Sequence, residues 1–151
     1  MNGKIRLGSW KMNLKKFKLI GLDTNIFSYH FHNHPQFVRF TNTIFNCFNK
    51  DQLKGITSVI TLTELFSVNV SPSKIKILQQ AFQTTPNLTV LEVNQEIAIE
   101  AAKIRRKYGF RTPDAIQLAT AKLNRAKAFV TNDQRLKSFK GLKIILLPEI
   151  K

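Results

Sequence analysis

One cysteine in 151 residues, Cys47, leaves no partner for an intramolecular disulfide and no set for a cysteine zinc cage, so it is expected as a small core residue in a reducing compartment. No uninterrupted apolar run exceeds four residues, Ile144 to Leu147 being one, far short of what crosses a bilayer. The six glycines never gather into Gly-x-Gly-x-x-Gly, Gly-x-Ser-x-Gly or a Walker loop, which removes dinucleotide-binding, nucleophile-elbow and P-loop chemistry. The basic opening is followed by an apolar stretch of only Leu19 to Leu22 before Asp23, unlike a signal peptide. A soluble, cytoplasmic protein with no membrane association is expected.

Acidic residues are scarce as well, 9 Asp+Glu against 24 Lys+Arg, a formal net charge of +15. The excess is uneven: residues 1–18 carry +6, residues 103–143 carry +10, and all other positions together sum to −1. Two basic stretches of this size are the footprint of a nucleic acid or another polyanion, although a solvated basic surface is the plain alternative.

What is present is an alternation of strand-like and helix-like segments. Residues 1–16 read as a basic N-terminal arm that could be flexible, and residues 17–151 as one domain. Phe17–Leu22, Gly55–Val59, Leu88–Val93, Ala128–Thr131 and Leu142–Leu147 are the five candidate strands. Pro35–Asn49 carries Phe37, Phe40, Ile44, Phe45 and Phe48 at helical spacing, a core stripe. Further helices are expected from about Thr61, over Ser73–Thr84 after the Ser71-Pro72 break, over Gln95–Tyr108 up to Gly109, and from Thr112-Pro113 to about Asn124, with Thr112 as N-cap. Strands separated by helices imply an α/β fold, a three-layer α/β/α sandwich with a mainly parallel five-stranded sheet. Ligands of such sheets bind beyond the carboxyl ends of the strands.

Four of the nine acids fall at strand ends or helix starts: Asp23 after Leu22, Glu64 in the helix after the second strand, Asp114 after Thr112-Pro113, and Asp133 after Thr131. Each has a structural alternative. Asp23 and Asp133 suit Asx-type caps, Glu64 a capping box with Thr61, and Asp114 a helix dipole. Together on one sheet edge, four carboxylates would repel one another unless a hard divalent cation, Mg²⁺ or Mn²⁺, sat among them. Such an ion activates water for attack on a phosphodiester with no side-chain nucleophile. His30, His32 and His34 alternate, but their place before Pro35 suits a polar loop better than a metal site, and Tyr29 and Phe31 suit burial better than base stacking.

Leu22-Asp23-Thr24-Asn25, Thr63-Glu64-Leu65, Thr112-Pro113-Asp114-Ala115-Ile116-Gln117-Leu118-Ala119 and Val130-Thr131-Asn132-Asp133-Gln134-Arg135-Leu136 occur in that order. In these pieces the chain resembles the PIN-domain nucleases, and within them the VapC-type toxins of toxin-antitoxin pairs, over about Lys18 to Leu147. The resemblance implies an Mg²⁺- or Mn²⁺-dependent endoribonuclease that hydrolyses RNA with a metal-activated water, frequent homodimers, and inhibition by a cognate antitoxin. By position it implies Asp23, Glu64 and Asp114 as central metal ligands, Asp133 as a ligand at an outer or second metal, and Thr24, Asn25, Thr131 and Asn132 as polar supports. The basic stretch before Lys18 and Arg111 stand outside the family pattern. Arg105, Arg106, Lys107 and Arg111 are candidate RNA contacts, with an exposed helix end as the alternative. A non-catalytic RNA-binding module on the same fold is the main rival; a phosphatase-like domain would want a second acid two residues after Asp23, where Asn25 stands.

Overall fold

A computed structural model describes residues 6–148. Five strands, β1 (Leu19–Leu22), β2 (Lys54–Ser58), β3 (Leu88–Leu91), β4 (Ala128–Thr131) and β5 (Lys143–Leu146), form one sheet in the order β3-β2-β1-β4-β5. Every pairing is parallel, with Gly21 opposite both Ile56 and Phe129. The α/β three-layer sandwich expected from the alternation is therefore the fold.

Each connection carries helix, as parallel neighbours require. Among the described residues the α-helices are α1 (Leu7–Lys15), α2 (Thr24–Phe31), α3 (Val38–Asn49), α4 (Ile60–Phe66), α5 (Pro72–Gln83), α6 (Gln95–Tyr108) and α7 (Thr112–Leu123), and a 3-10 helix spans Gln134–Ser138. Local chemistry sets several ends. Ser71 caps α5 by accepting from the Lys74 amide, with Pro72 opening the helix. Asn94 does the same for α6 through the Ile97 amide, and Gly109 at φ 72° ends it in the left-handed conformation.

Two apolar clusters lie on opposite faces of the sheet. Ile20, Leu22, Ala128 and Val130 point to the face covered by α1–α5, where Phe37, Phe40, Ile44, Phe45 and Phe48 are all buried as their spacing implied. Ile56 and Phe129 point to the other face, under α6, α7 and the 3-10 helix. The alternation along β4 is what a strand buried on both faces demands. Cys47 is free and buried.

Three local expectations differ from what is observed. Within the stretch expected as an arm, Leu7–Lys15 is the packed helix α1: Trp10 and Leu14 are buried, and the Trp10 ring sits edge-on to Phe40 at 5.4 Å. Two apolar residues four apart suffice to dock a helix whose other side chains are mostly polar; residues 1–5 lie outside the described part. His30, expected with His32 and His34 in a polar loop, lies instead in α2, whose N-cap is Asp23; His32 and His34 follow the helix. Finally, Arg111 stands at the N-cap position of α7 with no side-chain cap, so Thr112 is already inside the helix, and α4 begins at Ile60, which removes Thr61 from a capping box.

Gly21 is the close point of the central strand. A Cβ there would lie 2.7 Å from the Ala121 Cβ and 2.8 Å from the Phe129 ring, both buried, so the absence of a side chain lets α7 press onto β1. Gly8 on α1 has nothing within 4 Å. The same substitution is therefore expected to act with opposite signs: Gly21→Ala should destabilise by about 1–3 kcal/mol in urea unfolding, while Gly8→Ala should be neutral or gain up to about 1 kcal/mol. Equal effects at the two sites would contradict the packing described.

Candidate active site

The strand order reverses between β1 and β4: the chain steps from β1 to β2 on one side, and β4 and β5 lie on the other. At such a switch point the loops leaving the two strands part and open a crevice. Asp23 leaves β1 and Asp133 lies just past β4 on this edge, held together by the Asp23 amide donating to Val130 O at 3.0 Å. Asp114 sits in the first turn of α7 and Glu64 on α4, which follows β2.

Asp23 is the most constrained of the four, at 6% exposure. One carboxylate oxygen accepts from the Thr24 amide at 2.9 Å and the other from the Thr131 hydroxyl at 2.7 Å. Burial pushes its carboxyl up from an ordinary 3.8 to about 6; repulsion from Asp114 and Glu64 adds to this, against the Thr131 and Thr24 hydrogen bonds. Asp114 is also buried and ion-paired to Arg111 Nε at 3.1 Å, with Arg135 at 3.8 Å. Asp133 forms a two-pronged pair with Arg135, Nε to Oδ1 at 3.0 Å and Nη2 to Oδ2 at 2.6 Å, and that hydrogen bonding holds its carboxyl below the usual range. Glu64 is exposed and accepts from the Thr24 hydroxyl at 2.8 Å.

The cap roles foreseen for Asp23 and Asp133 exist alongside this cluster, since Asp133 also accepts from the Arg135 amide. Of the expected supports, Thr24 and Thr131 touch the acids, whereas Asn25 reaches Thr131 through Nδ2 at 3.4 Å and Asn132 turns to the Tyr29 hydroxyl at 3.1 Å. The acids share one edge without being drawn into a coordination shell. Among the described residues no group of three His, Cys, Asp or Glu side chains is placed to hold one ion. Arginine nitrogens on Asp114 and Asp133, the Thr24 amide and Thr131 hydroxyl on Asp23, and the Thr24 hydroxyl on Glu64 occupy the carboxylate oxygens instead. The donor set still suits a hard divalent cation: it is all oxygen, Asp23 resists ionising alone, and the buried Asn25 Oδ1 has no hydrogen-bond partner.

Beneath the acids lies a polar lattice whose roles the sequence did not signal. The buried Gln117 amide donates to the Thr61 hydroxyl at 2.7 Å, and its oxygen accepts from the Ser58 amide at 3.2 Å and hydroxyl at 3.1 Å. Thr61 meets Thr57 at 2.7 Å, and Thr57 donates to Leu22 O at 3.0 Å, one residue before Asp23. Gln117 thereby ties α7, α4, β2 and β1 together. Its one legible signal is its place three residues after Asp114, which puts both on one helix face.

The expected RNA contacts part company. Arg111 and Lys107 line surface hollows, Arg105 donates through Nε to Phe110 O at 3.1 Å and so braces the end of α6, and Arg106 lines neither hollow. His30 stacks on Phe45 at 4.0 Å and His34 accepts from the Gln36 amide through Nδ1, so these two pack locally and do not join the acids.

A stability test follows from Asp23. Its folded pKa lies above the unfolded value, so the folded state takes up a proton between about pH 4 and pH 6, and the stability this brings at acid pH is lost as pH rises through about 6. Above that, the ionised group is a standing cost on the order of 3 kcal/mol. Asp23→Asn in chelator is therefore expected to resist urea better than the parent protein at pH 7.5, the gain shrinking towards pH 4. A less stable variant at pH 7.5 would contradict the strain assigned to Asp23.

Comparisons with known proteins fit this geometry. The model of the PIN domain matches residues 20–142. Among curated proteins no sequence relative matches. Three solved structures align over nearly their whole length. A toxin-antitoxin complex from Klebsiella pneumoniae shares 23% identity, covering 87% of this chain and 99% of that one at a TM-score of 0.66. VapBC2 from Rickettsia felis, bound to a DNA fragment from its promoter, shares 18%, covering 86% and 99% at 0.69. DNA-bound VapBC from Salmonella typhimurium shares 23%, covering 85% and 98% at 0.66. With the family model spanning everything from the central strand to the threshold of the last, and the four acids standing on the edge where its strands end, the chain belongs to the PIN domain family.

Proposed function

We propose that this protein is a metal-dependent endoribonuclease, the toxin of a VapBC-type pair, cutting RNA at the crevice between β1 and β4. The observation that carries the proposal is Asp23: a buried carboxylate at the switch point of a parallel sheet, close to Asp114 and Glu64, whose ionisation calls for a cation. Asp23, Glu64 and Asp114 would hold Mg²⁺ or Mn²⁺, with Asp133 at its outer side. When bound, the ion supplies Lewis acidity, lowering the pKa of water and neutralising charge on the phosphodiester.

The chain's own groups do the rest. Thr131 and the Thr24 amide orient both oxygens of Asp23, Thr24 orients Glu64, and the Gln117 lattice fixes the strand ends from which they project. Arg111 and Arg135 neutralise Asp114 and Asp133 and are placed to receive a phosphate once those acids turn to a cation. An antitoxin would act by covering the same edge, and a homodimer is part of the same proposal. Retention of all the acids argues against a purely RNA-binding module.

The chemistry of the cut ends tests the mechanism. Hydrolysis by water leaves a 5′-phosphate and a 3′-hydroxyl, whereas a histidine-driven ribonuclease leaves a 2′,3′-cyclic phosphate. EDTA should abolish cleavage and Mg²⁺ or Mn²⁺ restore it. Glu64→Gln and Asp114→Asn should each lose most activity, roughly a hundredfold or more, Asp133→Asn less, while replacing His30, His32 and His34 together should leave cleavage largely intact. A cyclic phosphate formed by the pure protein in EDTA would overturn the mechanism.

A further inference from the structure

Away from the carboxylates, lysines gather around a recess beside α6. A hollow of about 230 Å³ between α6, the end of α7 and the 139–141 loop is lined by Lys103, Lys107, Lys122 and Lys140, with Glu100 as its only acid. Glu100 does not oppose an anion there, because Lys122 Nζ clamps it at 2.6 Å and Lys103 stands 3.7 Å away. Four lysines to one glutamate leave a surplus of positive charge in a recess, where it acts more strongly than on a flat surface.

The recess does not stand alone. A second hollow, of about 380 Å³, is lined by Arg111, Asp114 and Arg135, and both hollows share Tyr108 as a wall. Tyr108 is held on two sides, stacked on Phe110 at 5.2 Å and edge-on to Phe139 at 5.3 Å. Its hydroxyl accepts from the Lys140 amide at 3.2 Å, which ties the lysine-bearing loop to the end of α6. A Cβ on Gly141 would press into the Phe139 ring, so the bare residue lets the ring pack against this loop. The result is a pair of adjoining basic hollows, braced at Tyr108, that run from Asp114 to Lys140.

We propose that this path is the track for the single-stranded RNA beyond the cut, its phosphates carried over Arg111 and Arg135, past Tyr108, and into the recess of Lys103, Lys107 and Lys140. The proposal rests on the nuclease reading and adds the course of the substrate to it. A cationic groove leading off a site, with an aromatic ring in its wall, is how proteins hold a single strand without reading its sequence. An acidic protein segment is the rival occupant, but the track's direct opening onto Asp114 favours the substrate.

Binding of a fluorescein-labelled, unstructured single-stranded RNA, read by anisotropy in EDTA over a salt series, tests the track. Lys107→Ala with Lys140→Ala should weaken binding roughly tenfold near 0.1 M salt and lower the log-log salt slope by about 1.4, the contribution of two phosphates on a single strand. Tyr108→Phe, which frees the Lys140 backbone, should weaken binding in the same direction by less. Lys74→Ala with Lys76→Ala on the exposed face of α5 should change neither affinity nor slope. Circular dichroism confirms that each variant is folded. If the parent protein cleaves RNA with Mg²⁺ while the Lys107/Lys140 variant binds with parental affinity and slope, the track is overturned and the nuclease reading stands. If the parent protein neither binds nor cleaves RNA, both fall. Loss of polyglutamate binding with RNA binding unchanged would make the groove a protein-docking surface and overturn the track.

Discussion

The site is organised by the burial of one carboxylate. Asp23 is taken out of water at the end of the central strand, with two other acids near enough to repel it and only a hydroxyl and an amide to receive its oxygens. Such a group holds its place only if the backbone around it is fixed by other means. The Gln117 lattice is that means: every polar atom of the amide is used, and the hydroxyls of Thr57 and Thr61 pass the constraint to Leu22, next to Asp23. Beside it, the bare Gly21 lets α7 close on β1, which brings Asp114 to the same edge. The acidic edge is thus paid for by a sheet packed on both faces.

Charge is the second theme. A chain with +15 formal charge could have scattered its cations, yet Arg111 and Arg135 are spent on Asp114 and Asp133. Asp114 is buried, but both guanidinium groups stay in solvent, and pairs with an exposed partner add little stability. Their use is positional, keeping guanidinium groups beside carboxylates that a cation would otherwise neutralise. The lysines along α6 and the 139–141 loop extend the same potential outward.

Much of the fold was legible because its signals are local. The α6 bounds follow from an Asn cap and a terminating glycine, β4 from a short apolar run ending at Thr131, and the α3 core from five apolar residues at helical spacing. The acids were legible by position at strand ends. Long-range contributions were not. The helix α2, Thr-Asn-Ile-Phe-Ser-Tyr-His-Phe, holds no strong helix former, and its N-cap is an acid that also reads as a ligand. Similarly, α1 is anchored by Trp10 meeting Phe40, thirty residues away, which no local pattern announces. The Gln117 lattice joins four segments and is visible only once they are packed.

A crystal soaked in Mn²⁺ and measured for anomalous scattering bears on the central claim most directly. The account predicts a peak within coordinating distance of Asp23 and Asp114, with the Arg135 guanidinium withdrawn from Asp114. Well-ordered crystals with no peak at that edge, and both arginines still paired as described, would contradict it.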